Sequence, residues 1–246
     1  MNITAIIPAR YASSRFEGKP LALIAGKPMI QMVYERAIAA NNINRVIVAT
    51  DDIRIYNAVK SFGGKAVMTS EKHRSGTDRV SEAADISGLA DNDIVVNIQG
   101  DQPLMNPKSL DDLVKPFLID PDLYMSTLAF KIVNEREITD PKDVKVTFDK
   151  NGYALYFSRS QIPFCREAGT SFDVYKHLGF YAYTKRFVNT FKNLPEGPLE
   201  KIEKLEQLRA LEHGYKIRVI VTEYDSPEVD LIEDINRIEF ALKENK

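Results

Sequence analysis

Three cations lie in one segment that directly follows the first apolar run of the chain. The segment spans residues 8–20 and contains a single glycine. Its cations are too widely spaced to line one helix face, so they could surround a polyphosphate, with backbone N–H groups between them. A solvated basic loop is an equally good explanation of this segment alone. Its cationic and hydroxylated residues are Arg10, Ser13, Ser14, Arg15 and Lys19.

The segment differs from the common nucleotide-binding loops. The Gly-x-x-x-x-Gly-Lys-Ser/Thr pattern of P-loop NTPases does not occur in the chain, and neither does the Gly-x-Gly-x-x-Gly pattern of dinucleotide enzymes. These absences argue against both classes.

An acidic residue follows the fourth predicted strand. Asp101 comes just after the apolar run that ends at Ile98. In open parallel sheets ligands bind beyond the carboxyl ends of the strands, so Asp101 would face the same crevice as the cationic segment. The combination suits a magnesium nucleotide, with cations on the phosphates and a carboxylate on the metal. Taken alone, Asp101 is better explained by an Asx-type turn before Pro103.

A second candidate carboxylate, Asp230, lies near the end of the chain. Glu233 follows three residues later, which is the spacing of a capping box, and this alternative explains both residues without a metal. A third polar segment, 73–79, follows another predicted strand. Its small residues beside Gly76 could let a planar base approach the backbone. Alternatively, Thr77 is simply the N-cap of the next helix.

Other catalytic patterns are missing or have simpler explanations. The chain has no Gly-x-Ser-x-Gly and no His-Glu-x-x-His, and Cys165 has no neighbouring base in sequence. His213 precedes Gly214 and is best explained as a helix C-terminal residue favoured by the helix dipole. His177 alternates with apolar residues, so it is either a packed strand residue or a ligand in the crevice.

The elements that must position these residues alternate between strands and helices in the first half of the chain. Predicted strands cover 3–7, 45–49, 65–68 and 93–98, which indicates a parallel sheet covered by helices. Between the first two, Pro28 can occupy the first turn of a helix with Met29, Ile30, Val33 and Ala37 on one face. Asp52 is a predicted N-cap, followed by Ile53, Tyr56 and Val59 at helical spacing, with Gly63-Gly64 as the stop.

The second half of the chain has an antiparallel character. The runs 144–148 and 153–157 flank Asn151-Gly152, which predicts a hairpin, and 175–183 is a further strand. A helix is predicted from Leu199, ending at Gly214. A strand at 217–221 and a helix at 231–242 complete the chain. Since no linker or repeat separates the halves, we expect one α/β domain with an antiparallel lobe inserted into it.

The composition excludes several functional classes. The 246 residues are 44% hydrophobic, which supports a full core, and the net charge of −2 argues against nucleic-acid or anionic-membrane partners. One cysteine cannot form an internal disulfide or a cysteine-based metal centre. No apolar stretch approaches the length of a bilayer, and the N-terminal residues form a strand pattern rather than a signal peptide. We therefore expect a cytoplasmic protein without membrane insertion.

Several motifs in order resemble one enzyme family over nearly the whole chain. This family is the 3-deoxy-D-manno-octulosonate (Kdo) cytidylyltransferases, or CMP-Kdo synthetases. The segments that carry the resemblance are 7–15, 18–21, 75–79, 99–101, 154–159, 177–179 and 205–209.

The resemblance implies a fold and a reaction. It implies a nucleotide-diphospho-sugar transferase-like α/β fold, in which a mostly parallel sheet is flanked by helices. A single cytidylyltransferase domain would cover 1–246, with an antiparallel dimerisation lobe at roughly 123–184. The implied reaction transfers CMP from CTP to the anomeric hydroxyl of Kdo and releases pyrophosphate, for lipopolysaccharide biosynthesis. Magnesium is the implied cofactor, and the implied assembly is a homodimer.

The resemblance also implies roles for individual residues. Asp101 and Asp230 would bind the metal and, with Arg10 and Lys19, form the catalytic set. Arg159 would pair with the sugar carboxylate, since its guanidinium fork matches two oxygens. No general base is evident, and either His177 or a metal-polarised hydroxyl could serve. The implied nucleotide-binding residues are Pro8, Ala9, Arg10, Arg15, Lys19, Ser75, Gly76 and Gln99. The implied sugar-binding residues are Arg159, His177, Tyr181, Glu206 and Gln207, the last two on an otherwise solvated helix face.

Two departures from the family pattern bear on the substrate. The family commonly has Gly-Asp-Glu-Pro where this chain has Gln102, and a threonine where this chain has Leu231. Gln102 together with the segment 224–230 resembles the branch that uses 8-amino-3,8-dideoxy-manno-octulosonate (8-amino-Kdo), which remains an alternative substrate. A non-catalytic nucleotide-binding module is the alternative of another class.

Overall fold

The computed structural model describes residues 1–12, 15–73, 75–167 and 169–244. Ser13 and Ser14 of the cationic segment, and Arg74 of the predicted base-binding segment, lie outside the described residues. The strands are β1 (Ile3–Ala9), β2 (Leu23–Ile24), β3 (Lys27–Pro28), β4 (Arg45–Thr50), β5 (Ala66–Met68), β6 (Ile94–Asn97), β7 (Met125–Lys131), β8 (Lys145–Phe148), β9 (Ala154–Ser158), β10 (Tyr175–Thr184) and β11 (Arg218–Thr222).

Helices connect most of these strands. They are α1 (Met29–Ile38), α2 (Ile53–Ser61), α3 (Gly76–Ile86), α4 (Pro107–Val114), α5 (Glu135–Thr139), α6 (Lys185–Lys192), α7 (Pro198–Glu203), α8 (Leu208–Glu212) and α9 (Asp234–Glu244). Every helix in the described ranges is too short or too polar to span a bilayer.

One mixed sheet carries the fold, with strand order β11-β7-β10-β6-β1-β4-β5. β1 pairs in parallel with both β4 and β6, and its side chains alternate between two cores. Ile7 packs with residues of α1 and α4, whereas Ile6 packs against α3. Strands buried on both faces need continuous apolar sequence, which is what the first half of the chain supplies.

The antiparallel strands join the same sheet. β10 runs antiparallel to β6 on one side and to β7 on the other, while the hairpin β8–β9 pairs with the first residues of β10. The range 123–184 therefore contains β7 to β10, and β10 is continuous with the parallel half. The β10–β7 register shifts between His177 and Tyr181, where Gly179 adopts a φ of +74°. This bulge turns side chains of β10 toward the site described below.

Some local predictions for the first half are confirmed and others are wrong. The Asp52 side chain accepts from the N–H of Arg54 as the predicted N-cap, and Gly63 adopts a φ of +81° after α2. Pro28 precedes α1 instead of occupying its first turn, because it pairs in β3. Ile53 is exposed, and Ile55 with Val59 forms the buried face of α2.

The helix predicted from Leu199 is wrong, because the segment is two helices. Lys204 adopts left-handed angles, with φ 55° and ψ 44°, and separates α7 from α8. Arg209 bridges the break by donating from Nε to Glu200 Oε2 at 2.7 Å. This buried ion pair holds the two short helices in place of a continuous backbone ladder, so spacing alone could not reveal the break.

The last helix also begins later than predicted. It starts at Asp234, whose Oδ2 accepts from the N–H groups of Asp230 and Leu231 at 2.8 and 2.9 Å. The capping box with Glu233 is therefore wrong. This leaves the Asp230 side chain free to face another part of the molecule.

Candidate functional site

A cavity of about 260 Å³, the smaller of two that adjoin each other, lies beyond the carboxyl ends of β1 and β6. The exposed Arg10 and Arg15 and the less exposed Lys19 all line it. The cavity is lined by all the residues that were predicted to bind the nucleotide and by one of the two predicted metal ligands. They are Pro8, Ala9, Arg10, Arg15, Lys19, Ser75, Gly76 and Gln99, together with Asp101.

Gly18 fixes the backbone just before Lys19. Gly18 has a φ of +70°, and a Cβ there would lie 3.1 Å from the Tyr11 ring. The N–H of Gly18 donates to the carbonyl of Tyr11 at 2.9 Å, so the segment closes on itself. Arg54 stacks over the same ring, with its guanidinium carbon 3.2 Å from the centroid. Lys19 then begins a single 3-10 turn that directs its side chain inward.

Two carboxylates converge on Lys19. Its Nζ donates to Asp101 Oδ2 at 2.6 Å and lies 4.0 Å from Asp230 Oδ1. Arg15 Nη1 donates to Asp230 Oδ2 at 3.0 Å. The carboxylate of Asp101 therefore serves an ion pair and not a local turn, and the same holds for Asp230. The chain folds residues 129 positions apart into one acid pair with cations around it.

A third acid increases the negative charge at this point. Loss of hydration and the like charges of Asp101 and Asp230 raise the pKa of Glu228 to about 7. Glu228 accepts from Gln102 Nε2 at 3.1 Å, and Gln102 also donates to the carbonyl of Leu178 at 2.9 Å. The pattern of the sequence did not identify Glu228, although its position two residues before Asp230 was a usable signal.

The opposite wall of the smaller cavity is the start of α3. Ser75 is the N-cap, since its Oγ accepts from the N–H of Asp78 at 3.1 Å. The alternative in which Thr77 caps this helix is therefore wrong. The Thr77 hydroxyl donates instead to Glu206 Oε2 at 2.6 Å, which connects α3 to the break between α7 and α8.

A larger cavity, of about 690 Å³, adjoins the smaller one through Arg15, Gln99 and Asp101. All five predicted sugar-binding residues line it, and so does Asp230. They are Arg159, His177, Tyr181, Glu206 and Gln207. The amide of Gln99 donates to the carbonyl of Gly179 at 2.9 Å and so ties the bulge in β10 to the boundary between the cavities.

His177 is both a packed strand residue and part of the cavity wall. Its Nε2 lies 2.8 Å from Thr127 Oγ1, and that hydroxyl donates to the carbonyl of Phe180 at 2.7 Å. Because the single hydroxyl proton is used in this way, His177 must donate from Nε2. Burial lowers the pKa of His177 to about 3, so the ring is neutral at physiological pH. Thr127 was not found from sequence, since no spacing relates it to His177.

Arg159 is less free than predicted. Its Nε donates to the carbonyl of Glu203 at 2.8 Å, and its Nη1 donates to the carbonyl of Pro141 at 2.9 Å. Two of its three guanidinium nitrogens are therefore already engaged with backbone oxygens. These bonds fix the orientation of the group toward the larger cavity, and among the described residues no backbone oxygen accepts from Nη2.

Glu206 and Gln207 lie in the break between α7 and α8, so their placement on a solvated helix face is wrong. Burial raises the pKa of Glu206. Gln207 is only 4% exposed, and its Nε2 has no hydrogen-bond partner within the described residues. A buried donor without a partner is costly and normally has a ligand or an ordered water. Burial likewise raises the pKa of Tyr181, which stays neutral.

The lining of the larger cavity includes a buried cation that the sequence pattern does not reveal. Lys176 Nζ donates to Glu137 Oε2 at 2.8 Å and to Asp225 Oδ2 at 3.0 Å. Lys176 is 7% exposed. A charged residue inside a predicted strand was the available signal, since such a residue needs partners.

The paired carboxylates suit a divalent cation if a ligand supplies further oxygens. In the described part of the chain, no three acidic, histidine or cysteine side chains are grouped closely enough to hold an ion by themselves. Magnesium typically binds through one or two carboxylates together with substrate phosphates. Asp101 and Asp230 provide that donor set next to the cationic wall.

Comparison with known proteins agrees with this geometry. A family model described as "Cytidylyltransferase" matches residues 4–217. The chain is 64% identical, over 99% of its length and 100% of the relative, to a 3-deoxy-manno-octulosonate cytidylyltransferase of Desulfatibacillum aliphaticivorans. It is 58% identical, over 99% of both chains, to an 8-amino-3,8-dideoxy-manno-octulosonate cytidylyltransferase of Shewanella amazonensis (strain ATCC BAA-1098 / SB2B).

A solved structure extends the agreement to the whole fold. It is that of CMP:2-keto-3-deoxy-manno-octonic acid synthetase complexed with CTP. It superposes with a TM-score of 0.94 at 41% identity, and the match covers 100% of both chains. The chain belongs to the cytidylyltransferase family. The resemblance to Kdo cytidylyltransferases that its motifs predicted is thereby confirmed.

Proposed function

We propose that this protein transfers CMP from CTP to the anomeric hydroxyl of Kdo and releases pyrophosphate. The observation that carries the proposal is the convergence of Asp101 and Asp230 on Lys19, at the point where the two cavities meet. A nucleotide in the smaller cavity and a sugar acid in the larger one would bring their reacting ends together there.

The residues of the chain would act mainly by positioning and by balancing charge. In-line attack of the sugar hydroxyl on the α-phosphorus places negative charge on the leaving pyrophosphate, which Arg10, Arg15 and Lys19 would offset. The sugar carboxylate is repelled by the triphosphate, so a cation must hold it, and Arg159 is the candidate in the larger cavity. The unpartnered Nε2 of Gln207 would donate to a sugar oxygen.

Magnesium is part of the proposal. When bound, it would neutralise phosphate charge and polarise the attacking hydroxyl. Asp101 and Asp230 would hold it, and Lys19 would then exchange its present bond to Asp101 for one to phosphate. The carboxylate oxygens of Asp101 and Asp230 are ligands of the kind that magnesium prefers.

The test is pyrophosphate release by purified protein with CTP and magnesium, with Kdo and 8-amino-Kdo assayed in parallel. Faster turnover of Kdo, measured as kcat/KM, is the expected result. Preference for 8-amino-Kdo would overturn the choice of sugar. This amino sugar is the second candidate, and two observations support it, namely Gln102 and the 58% identical relative that is named for that substrate. No release with either sugar would sink the activity and leave a nucleotide-binding module.

The biological setting and assembly are also proposals. We infer a role in lipopolysaccharide biosynthesis, a cytoplasmic location and a homodimer with the range 123–184 at its interface. The supporting observation is the similarity over the whole length to Kdo cytidylyltransferases. Light scattering of the purified protein tests the dimer, since a monomer at micromolar concentration would contradict it.

A further inference from the structure

One histidine on the wall of the smaller cavity has a fixed orientation that the reaction itself does not explain. His73 lies just before α3, and its side chain is 19% exposed. Its Nε2 lies 2.5 Å from Glu82 Oε2, and the same oxygen accepts from the N–H of Ser70 at 2.8 Å. The carboxylate is therefore held from two sides and fixes the imidazole in turn.

Glu82 determines which ring nitrogen carries the proton. Although burial acts against it, the hydrogen bonds from His73 and Ser70 lower the pKa of Glu82, so its carboxylate is ionised and can only accept. The proton of a neutral His73 ring must then lie on Nε2. Nδ1, which the bond to Glu82 does not use, is left as a hydrogen-bond acceptor.

Two other polar side chains that line the smaller cavity, Arg79 and Ser75, already have partners. Arg79 donates to Thr69 Oγ1 and Asp51 Oδ2. Ser75 is occupied as the N-cap of α3.

Arg15 and Lys19, which we propose bind the phosphates, pair with Asp230 and Asp101 where the two cavities meet. His73 lines only the smaller cavity, away from that boundary, so the base of a nucleotide would lie near it. On cytosine, the acceptor Nδ1 of His73 would meet a donor, the exocyclic amino group. On uracil it would meet another acceptor, O4, and no hydrogen bond could form.

We propose that His73, oriented by Glu82, accepts a hydrogen bond from the exocyclic amino group of cytosine and makes the site select CTP over UTP. The inference rests on the proposed function for the identity of the nucleotide. It adds a specificity residue, His73, and a positioning residue, Glu82. Selectivity of this kind arises because the wrong base leaves a buried polar group without a partner.

Direct binding of CTP and UTP, each with magnesium, tests the proposal by calorimetry without any sugar. The wild-type protein should bind CTP at least about tenfold more tightly than UTP, and His73→Leu should lose most of that preference by weakening CTP. His73→Gln can still present an acceptor oxygen and should restore part of it. His213→Leu, at the exposed end of α8, is the matched control and should change neither affinity.

Glu82→Gln separates positioning from a general structural role. A glutamine amide can donate to the ring, which permits the tautomer with Nδ1–H. The preference for CTP should therefore fall although His73 is intact, and ¹⁵N shifts of the ring should show the tautomer change. Equal loss of CTP and UTP affinity in His73→Leu, or an unchanged ratio, would overturn the proposal. Its failure is distinct from that of the proposed function, since CTP selectivity can persist in a protein that transfers nothing to a sugar.

Discussion

The two adjoining cavities are built on different physical principles. The smaller cavity is lined by cations that stay partly solvated, such as Arg15 at 64% side-chain exposure, and by Asp101, which pairs with Lys19. The inner wall of the larger cavity is formed by His177, Tyr181 and Gln207, which are neutral polar groups; Tyr181 and Gln207 are buried and His177 is half-buried. The first wall therefore recognises charge, which suits a triphosphate. The second recognises the arrangement of hydrogen bonds, which suits a sugar with many hydroxyls.

The largest effect should come from the acid pair where the cavities meet. Asp101→Asn keeps the size of the side chain but removes the charge that pairs with Lys19 and would hold a divalent cation. We expect kcat to fall about a thousandfold, with a small change in the KM for the sugar. Pyrophosphate release with CTP and Kdo measures both.

The matched control for this variant is Asp122→Asn. Asp122 is exposed and lies outside both cavities. Turnover by the control should equal that of the wild type. If Asp101→Asn retained a tenth of the activity or more, the negative charge of Asp101 would not be the main contribution of the smaller cavity to catalysis.

The neutral wall of the larger cavity should be visible in the stability of the protein toward acid. The pKa of His177 is about 3 in the folded protein, below the ordinary value of about 6.5. Between these values the unfolded chain binds a proton that the folded chain does not, so stability decreases as the pH falls below about 6.5. This group alone should remove about 2 kcal/mol between pH 7.5 and pH 5.

Urea unfolding at pH 7.5 and pH 5 measures this effect. His177→Gln cannot take up the proton, so its free energy of unfolding should decrease less over the same interval. His213→Gln is the control and should follow the wild type, because its ring is not enclosed by the cavity wall. Parallel losses in wild type and His177→Gln would mean that His177 is not held neutral.

A third variant separates ligand binding from folding in the same wall. Gln207→Leu removes the buried Nε2 that has no partner among the described residues. If this nitrogen serves the sugar, the KM for Kdo should rise about tenfold while CTP affinity is unchanged. The free energy of unfolding of the unliganded protein should stay equal or rise slightly, since an apolar group replaces an unsatisfied donor.

Gln31→Leu is the control for this change. Gln31 lies on α1 and hydrogen-bonds Glu35 away from both cavities. A loss of stability in Gln207→Leu with an unchanged KM would assign Gln207 to the fold and not to the sugar site.

The same contrast explains which parts of the site could be predicted. Lys19 and Asp101 follow buried strands whose apolar runs are easy to recognise, and parallel strands bring their carboxyl ends together. The inner wall of the larger cavity depends on pairings between distant segments. Thr127 on β7 sets the tautomer of His177 on β10, and no spacing encodes that β10 enters a parallel sheet in the opposite direction.

The break between α7 and α8 is the clearest case of a hidden feature. The spacing of Leu205, Leu208 and Leu211 fits one helix and predicts one. The contacts that select two helices are tertiary, namely Arg209 with Glu200 and Thr77 with Glu206. Local sequence carried no information about either contact, whereas the Asp52 cap and the Asn151-Gly152 turn involve neighbouring residues and were predicted correctly.

The smallest expected effect tests this break directly. Lys204 adopts left-handed angles, which cost a residue with a Cβ roughly 1 kcal/mol relative to glycine. Lys204→Gly should therefore leave the free energy of unfolding unchanged or increase it by up to about 1 kcal/mol, after the greater freedom of glycine in the unfolded chain is deducted. Urea unfolding at neutral pH measures the change.

The sign of the effect is what discriminates, and Lys201→Gly provides the comparison. Lys201 is exposed within α7, three residues earlier, where glycine should cost about 1 kcal/mol. In one continuous helix both substitutions would destabilise the protein by similar amounts. With the break at Lys204, Lys201→Gly should lower the free energy of unfolding, whereas Lys204→Gly should raise it or leave it unchanged. A loss of about 1 kcal/mol in both variants would mean that the helix is continuous, and that Glu206 and Gln207 return to a solvated helix face away from the sugar.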